Sequence, residues 1–312
     1  MQSSVDYYFR YHAITVPASD GSDDLATDIR VDRYRLGAQE KYMDERARLG
    51  RKVKKDLQIR KKEDPDAVIR VRVSTPNGIE EQEFSDIAFQ NDDQLWALLR
   101  HPYVGKGSPE SVQVALQLGA VELEGSPAIV KPENFQTYCD SWFGLDCNGL
   151  VGNYLRHEYE GIAWSDVTAD RDANAPDNLI TDIFNRFDGT VRNSADEIDF
   201  NEFNVLAMVD AQGKIIAGGA GGFGHIMMSG PGERDDISGL KSKLGVAADE
   251  TVPAICVVES TAAADNTDGQ SGLARSWYAY VNHPTQKGVI RVHRGLNGSV
   301  INVRIKGAPW SG

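Results

Sequence analysis

The stretch Phe143-Gly144-Leu145-Asp146-Cys147-Asn148-Gly149-Leu150-Val151-Gly152-Asn153-Tyr154-Leu155 decides how the chain is read. Leu150, Val151, Tyr154 and Leu155 recur at helical spacing, which predicts a helix from about Asn148 to Glu158 and sets Cys147 at or just before its N-terminus. A cysteine so placed meets unpaired amide N–H groups and the positive end of the peptide dipoles, both of which favour a thiolate over a thiol. The same N–H groups are placed to receive an oxyanion. Gly149 leaves the approach to the sulfur uncrowded, and Asp146 is placed to cap the helix or to bind a substrate amine.

A cysteine nucleophile needs a base within hydrogen-bond reach and a third group that orients the base. Of the six histidines, His225 stands out because it opens the apolar run Ile226-Met227-Met228 directly after the glycine-rich stretch 218–224. A histidine at a strand start has a rigid support behind it, and glycines before it permit close approach. The next apolar run, Ala254-Ile255-Cys256-Val257-Val258-Glu259-Ser260-Thr261, ends in polar groups, and Glu259 is the expected orienter, with Ser260 and Thr261 as rivals. Cys256 lies inside that run and reads as packing. The three cysteines, Cys139, Cys147 and Cys256, lack the paired spacing of a zinc site or a disulfide framework, and the chemistry needs neither a metal nor an organic cofactor.

Leu145-Asp146-Cys147-Asn148-Gly149-Leu150-Val151, followed by Gly224-His225-Ile226-Met227, resembles the NlpC-like cell-wall endopeptidases and the related CHAP amidases. Their pattern is Asp-Cys-Ser-Gly-Phe/Leu-Val at a helix start, Gly-His-Val at a strand start, and a polar residue on the next strand. The resemblance covers about half of the chain, from near Gln136 to near Thr261. It implies an α+β, papain-like domain, with a nucleophile helix packed on an antiparallel sheet, and cleavage of amide bonds in peptidoglycan stem peptides. Cys147, His225 and Glu259 would be the catalytic set, and Asp146, Asn148, Tyr138 and Gly224 the substrate-binding residues. Asn148 stands where the family has serine, and Glu259 where it commonly has histidine, asparagine or glutamine. Glutamate in a Val-Glu-Ser context is familiar from relatives that act on lipid or acyl substrates.

Outward from this core, residues 126–312 are expected to form the hydrolase domain and residues 1–125 a smaller mixed α/β accessory region. In the accessory region a helix is expected over Ala38–Lys62, with its basic cluster as a solvated face. A β-hairpin turning at Pro76-Asn77-Gly78 follows, then a helix over Asp92–Leu99 and one over Ser108–Leu118 with Ser108 as cap and Pro109 at the first helical position. Beyond the nucleophile helix comes an acidic, Asn-rich region over 166–204. Strand-like runs are read at 205–209, 214–217, 225–229, 254–259, 288–293 and 299–305.

With 312 residues, a formal net charge of −13 and no apolar stretch long enough to span a bilayer, the composition argues against nucleic acid as a partner and against a membrane span. Peptidoglycan or another amide substrate, together with an inhibitor, immunity or delivery protein, are the partners expected. The opening Met1-Gln2-Ser3-Ser4-Val5-Asp6 lacks the basic head and apolar run of a secretory signal. The chain is therefore expected to be cytoplasmic as made, with any export by a non-classical route, as a secretion-system effector or phage lysin.

Three further patterns are set aside. The glycine fingerprint at 219–224 runs into a strand rather than a helix, so it lacks a phosphate-binding terminus. The segment 198–203 imitates the end of an EF-hand loop without the upstream oxygen ligands, and 269–272 misses the spacing of a serine elbow. The alternatives to a peptidase are a cysteine acyltransferase, deamidase or thioesterase, or a catalytically silent binding module.

Overall fold

A computed structural model of the chain describes residues 3–35, 39–85, 94–159, 179–217, 224–235, 241–247, 249–262, 272–294 and 299–310. Most of the glycine-rich stretch (218–223), the first part of the acidic region (through 178) and the 269–271 segment lie outside the described residues. The backbone divides into two units, Phe9–Leu145 and Met1–Tyr8 with Asp146–Gly312. Among the described residues, no helix is long and apolar enough to cross a membrane.

The helix α1 (Ser4–Arg10) opens the chain. In the unit Phe9–Leu145, the short strands β1 (Ile14–Val16) and β2 (Ala26–Ile29) pair antiparallel. The long helix α2 (Glu40–Glu63) buries Tyr42, Leu49, Val53 and Leu57. The basic cluster is partly a solvated face, since Arg51, Lys54, Lys55 and Lys62 are exposed. Lys52 is different: it is buried, with Nζ 2.7 Å from Asp56 Oδ2, while Ser126 Oγ donates to the other Asp56 oxygen at 2.5 Å. A hairpin follows, β3 (Ile69–Thr75) and β4 (Gly78–Phe84), whose Thr75↔Gly78 pairing leaves Pro76 and Asn77 as the turn. Gly78 adopts φ 117°, a conformation costly for any residue with a Cβ.

Helices α3 (Gln94–Arg100), α4 (Pro109–Ala120) and α5 (Phe135–Trp142) complete this unit. The α4 start carries the cap its sequence predicts, with Ser108 accepting from the Ser111 N–H and Pro109 at the first helical position. Helix α4 also closes the free edge of β3. Gln113 accepts from the Ser74 N–H at 2.6 Å and donates to the Ser74 carbonyl at 3.0 Å. One turn on, Gln117 accepts from the Arg72 N–H at 3.1 Å and donates to the Arg72 carbonyl. Two amides four residues apart thus act as a surrogate strand for an otherwise unpaired edge.

In the other unit, helix α6 (Cys147–Glu158) packs against two strands of a barrel, and α7 (Leu179–Arg186) packs beside it. A short strand β5 (Thr190–Arg192) leads into β6 (Glu202–Met208), β7 (Ile226–Asp235), helix α8 (Lys241–Leu244), β8 (Pro253–Thr261), β9 (Gly272–Asn282), β10 (Ile290–Arg294) and β11 (Val300–Pro309). From β6 to β11 each strand pairs antiparallel with the next, and β11 returns to pair with β6. The six strands therefore form a closed meander barrel. Strand β5 extends the edge of β11 at Ile305–Gly307, beyond the point where β10 ends at Val303.

This corrects the expected fold class. The chain does not form a papain-like α+β domain with its nucleophile helix on an open antiparallel sheet; the helix lies against a closed barrel. The register Ile290↔Val303 and Val292↔Ile301 between β10 and β11 joins the two ends of the sheet. The barrel interior is filled by one row of side chains from each strand: Leu206, Met227, Ile255, Val257, Tyr278, Tyr280, Ile290, Val292, Val303 and Ile305. Alternation along a strand reveals which residues share a face but not which strands pair, so a closed and an open sheet have the same apolar pattern. Strand readings also change. The segment 214–217 contributes only an isolated bridge, Val209↔Ile215, and β9 was not anticipated at all.

The glutamine clamp on β3 yields the first prediction. Replacing Gln117 by Leu keeps the side chain's bulk but strands the N–H and carbonyl of Arg72, so the unit should lose about 1–3 kcal/mol of stability in urea unfolding of the full chain. An unchanged unfolding midpoint would show that water replaces the amide without cost.

Candidate active site

Three elements converge at the end of the barrel where β7 starts and β8 finishes. Helix α6 begins at Cys147, capped by Asp146, whose Oδ1 accepts from the Gly149 N–H at 2.6 Å. The first intrahelical hydrogen bond runs from the Leu150 N–H to the Asp146 carbonyl, so the Cys147 and Asn148 N–H groups precede the helical ladder. Leu150, Val151, Tyr154 and Leu155 are buried, and they anchor the helix that carries the sulfur.

His225 immediately precedes β7, and its carbonyl accepts from the Met208 N–H of β6 at 2.9 Å. In the register Met228↔Val258, Glu259 lies opposite Met227 and diagonal to His225 on the same face. That is the barrel's inner face, because Met227, Ile255 and Val257 belong to the interior row. The imidazole Nε2 stands 2.6 Å from Glu259 Oε2. The Cys147 side chain interacts with the same imidazole and raises its pKa. Imidazole and carboxylate thus form a hydrogen-bonded pair beside the Cys147 side chain. The Tyr278 hydroxyl extends it by donating to Glu259 Oε1.

Burial is the largest single influence on His225 and disfavours its charge. The side-chain and charge interactions of the ring with Cys147 and Glu259, whose carboxylate accepts from it, outweigh burial, and the imidazole pKa is pushed up to about 9. The ring therefore carries a proton at neutral pH, although its side chain is only 12% exposed. Glu259 is fully buried, and its two oxygens face these donors. An imidazole with a buried carboxylate on one nitrogen is able to take up and give back a proton beside the sulfur.

The other expected site residues fall in different places. Asn148 Oδ1 lies 3.6 Å from Cys147 Sγ and accepts from the thiol form. Gly224 sits next to His225, half-buried. Asp146 is engaged as the helix cap. Tyr138 belongs to the unit Phe9–Leu145, where it donates to Glu45 Oε1 at 3.0 Å and shares a 2.8 Å hydrogen bond with the Tyr103 hydroxyl. All three cysteines are free thiols, and burial pushes Cys139 and Cys256 up from the ordinary thiol range. Sequence reasoning missed Tyr278. Its signal was the pair Tyr278 and Tyr280, two residues apart and so on one face of a strand, but that strand went unread.

No protein-family model, curated protein or solved structure matches the chain.

The raised His225 pKa makes stability depend on pH. Because the folded value, about 9, exceeds the ordinary 6.5, the imidazolium's contribution is complete below about pH 6.5 and is lost as pH rises through about 9. Urea midpoints measured from about pH 6 to about pH 9.5 should fall more steeply for the wild type than for Glu259→Gln. Parallel curves would mean that Glu259 does not sustain the charge on the ring.

Proposed function

We propose that the chain is a cysteine hydrolase of amide or peptide bonds, with Cys147 as nucleophile, His225 as proton carrier and Glu259 as the group that orients and charges the imidazole. The observation that carries this reading is the 2.6 Å hydrogen bond from the His225 imidazole to the buried Glu259, with the Cys147 side chain interacting with the same ring. A core histidine would be satisfied by either partner alone; a nucleophile's base needs both a carboxylate and the nucleophile beside it.

In the proposed reaction the Cys147 thiolate adds to the carbonyl carbon, forming the C–S bond, and the carbonyl oxygen takes the negative charge. The Cys147 and Asn148 N–H groups at the helix tip are donors suited to that oxygen. His225 transfers its proton to the departing amine nitrogen as the C–N bond breaks, leaving an acyl-enzyme and a neutral imidazole. Water then gives a proton to His225 while its oxygen adds to the acyl carbon. The C–S bond breaks, the acid leaves and the thiolate–imidazolium pair returns.

Peptidoglycan stem peptides are the proposed substrate, supported by the resemblance of the Leu145–Val151 and Gly224–Met227 motifs to cell-wall endopeptidases and amidases. A second reading has a specific observation in its favour. The imidazole partner is a glutamate rather than a neutral side chain, as in relatives that act on acyl substrates, so thioester cleavage or acyl transfer by the same residues is the alternative.

Digesting purified peptidoglycan with wild type and with Cys147→Ala, then reading the fragments by mass spectrometry, tests both parts. The wild type should release stem-peptide fragments and the variant at least about a thousandfold fewer, the scale expected for loss of a nucleophile. Equal release by the variant would remove the mechanism. Release by neither, with hydrolysis of an acyl thioester by the wild type alone, would move the substrate to the acyl class.

A further inference from the structure

We infer that Tyr278 is a positioning residue of this site: it fixes the Glu259 carboxylate in the orientation from which that carboxylate supports His225, and acts on Cys147 only through these two side chains. The inference rests on the reading of Cys147 and His225 as a working pair.

Tyr278 projects from β9 into the barrel, fully buried, in a row otherwise built largely from Leu, Met, Ile and Val. A hydroxyl in such surroundings needs an acceptor, and this one donates to Glu259 Oε1. The imidazole takes the other oxygen, Oε2. With a separate donor on each oxygen, rotation of the carboxyl group breaks one bond or the other, so the pair of bonds defines a single rotamer. The same two bonds also favour the ionised carboxylate, which burial alone opposes. Backbone register places the partners far apart along their strands: Tyr278 pairs with Ile255, whereas Glu259 pairs with Ala274. The reach of a tyrosine leaning along the barrel interior spans that offset, and a phenylalanine there would fill the same space without the bond.

Among the described residues, the titratable groups that face the imidazole are Cys147 from α6 and Glu259 from β8. Tyr278, from β9, donates to the far oxygen of the second. Loss of its hydroxyl leaves Glu259 with one fewer donor, shifts it toward the neutral acid and weakens its support of the imidazolium.

The test uses the full chain with labelled histidine, following the His225 ring by NMR as pH is raised. The wild-type midpoint is expected at about 9. In Tyr278→Phe it should fall by about one pH unit or more, the size of one hydrogen bond to a charged group. In a Glu259→Gln background the same substitution should add no further shift, a result that a general loosening of the barrel would not give. If the Phe variant does not fold, Tyr278→Met, which also removes the hydroxyl, must show the same fall. An unmoved midpoint in the single variant, or an equal shift in the Glu259→Gln background, overturns the inference. Failure of the underlying reading looks different: Cys147→Ala would stay active while the titration behaved as stated.

Discussion

A carboxylate sealed from water costs several kcal/mol unless hydrogen-bond donors and a positive charge reach it. Glu259 meets that requirement with the imidazole of His225 on one oxygen and the Tyr278 hydroxyl on the other. The arrangement has consequences in both directions. The carboxylate favours a proton on His225 against the opposing effect of burial, beside the Cys147 side chain. Without the carboxylate, burial would leave a neutral imidazole beside a thiol, a pair with much less reason to react.

The barrel is what makes such a carboxylate possible. Glu259 sits on the same inner face as Ile255 and Val257, near the end of β8, so the side chains that fill the barrel also exclude water from it. Closure between β10 and β11 leaves no free edge in this region of the sheet, and neighbouring strands therefore hold His225, Glu259 and Tyr278 in fixed register. Helix α6 brings the remaining group. Its cap by Asp146 defines where the helix starts, and it starts at Cys147. Cys147 and Glu259 thus sit on a helix and a strand, and His225 directly before a strand, with its carbonyl held by the Met208 N–H, which suits a site whose chemistry depends on a few tenths of an ångström.

The parts of this arrangement that were legible in the sequence are those specified locally. The Leu150, Val151, Tyr154, Leu155 spacing and the Asp146 cap mark α6, Ser108 and Pro109 mark α4, and Pro76-Asn77-Gly78 marks the hairpin. Cys147, His225 and Glu259 could be proposed together because each sits at the boundary of a locally readable element. Closure could not, since it depends on the pairing of β10 with β11 and of β11 with β6, and alternation is silent about partners. Strand β9 was missed for a related reason. It is buried on both faces except near Arg275, Trp277 and its final residues, so its run of Leu273, Ala274, Ser276, Tyr278 and Ala279 shows no period of two, and the tyrosine that completes the site was lost with it. Lys52 shows the converse failure: a basic run predicts a wet surface, but Asp56 one turn away draws this one cation into the interior.

The central claim is that an imidazole at the barrel end activates the sulfur at the helix tip. Site-resolved alkylation by iodoacetamide near neutral pH, read by mass spectrometry on the folded chain, tests it most directly. Cys147 should react at least about tenfold faster than Cys139 or Cys256, and the advantage should disappear in His225→Ala. Equal reactivity of the three thiols, or an undiminished rate at Cys147 without the imidazole, would contradict it.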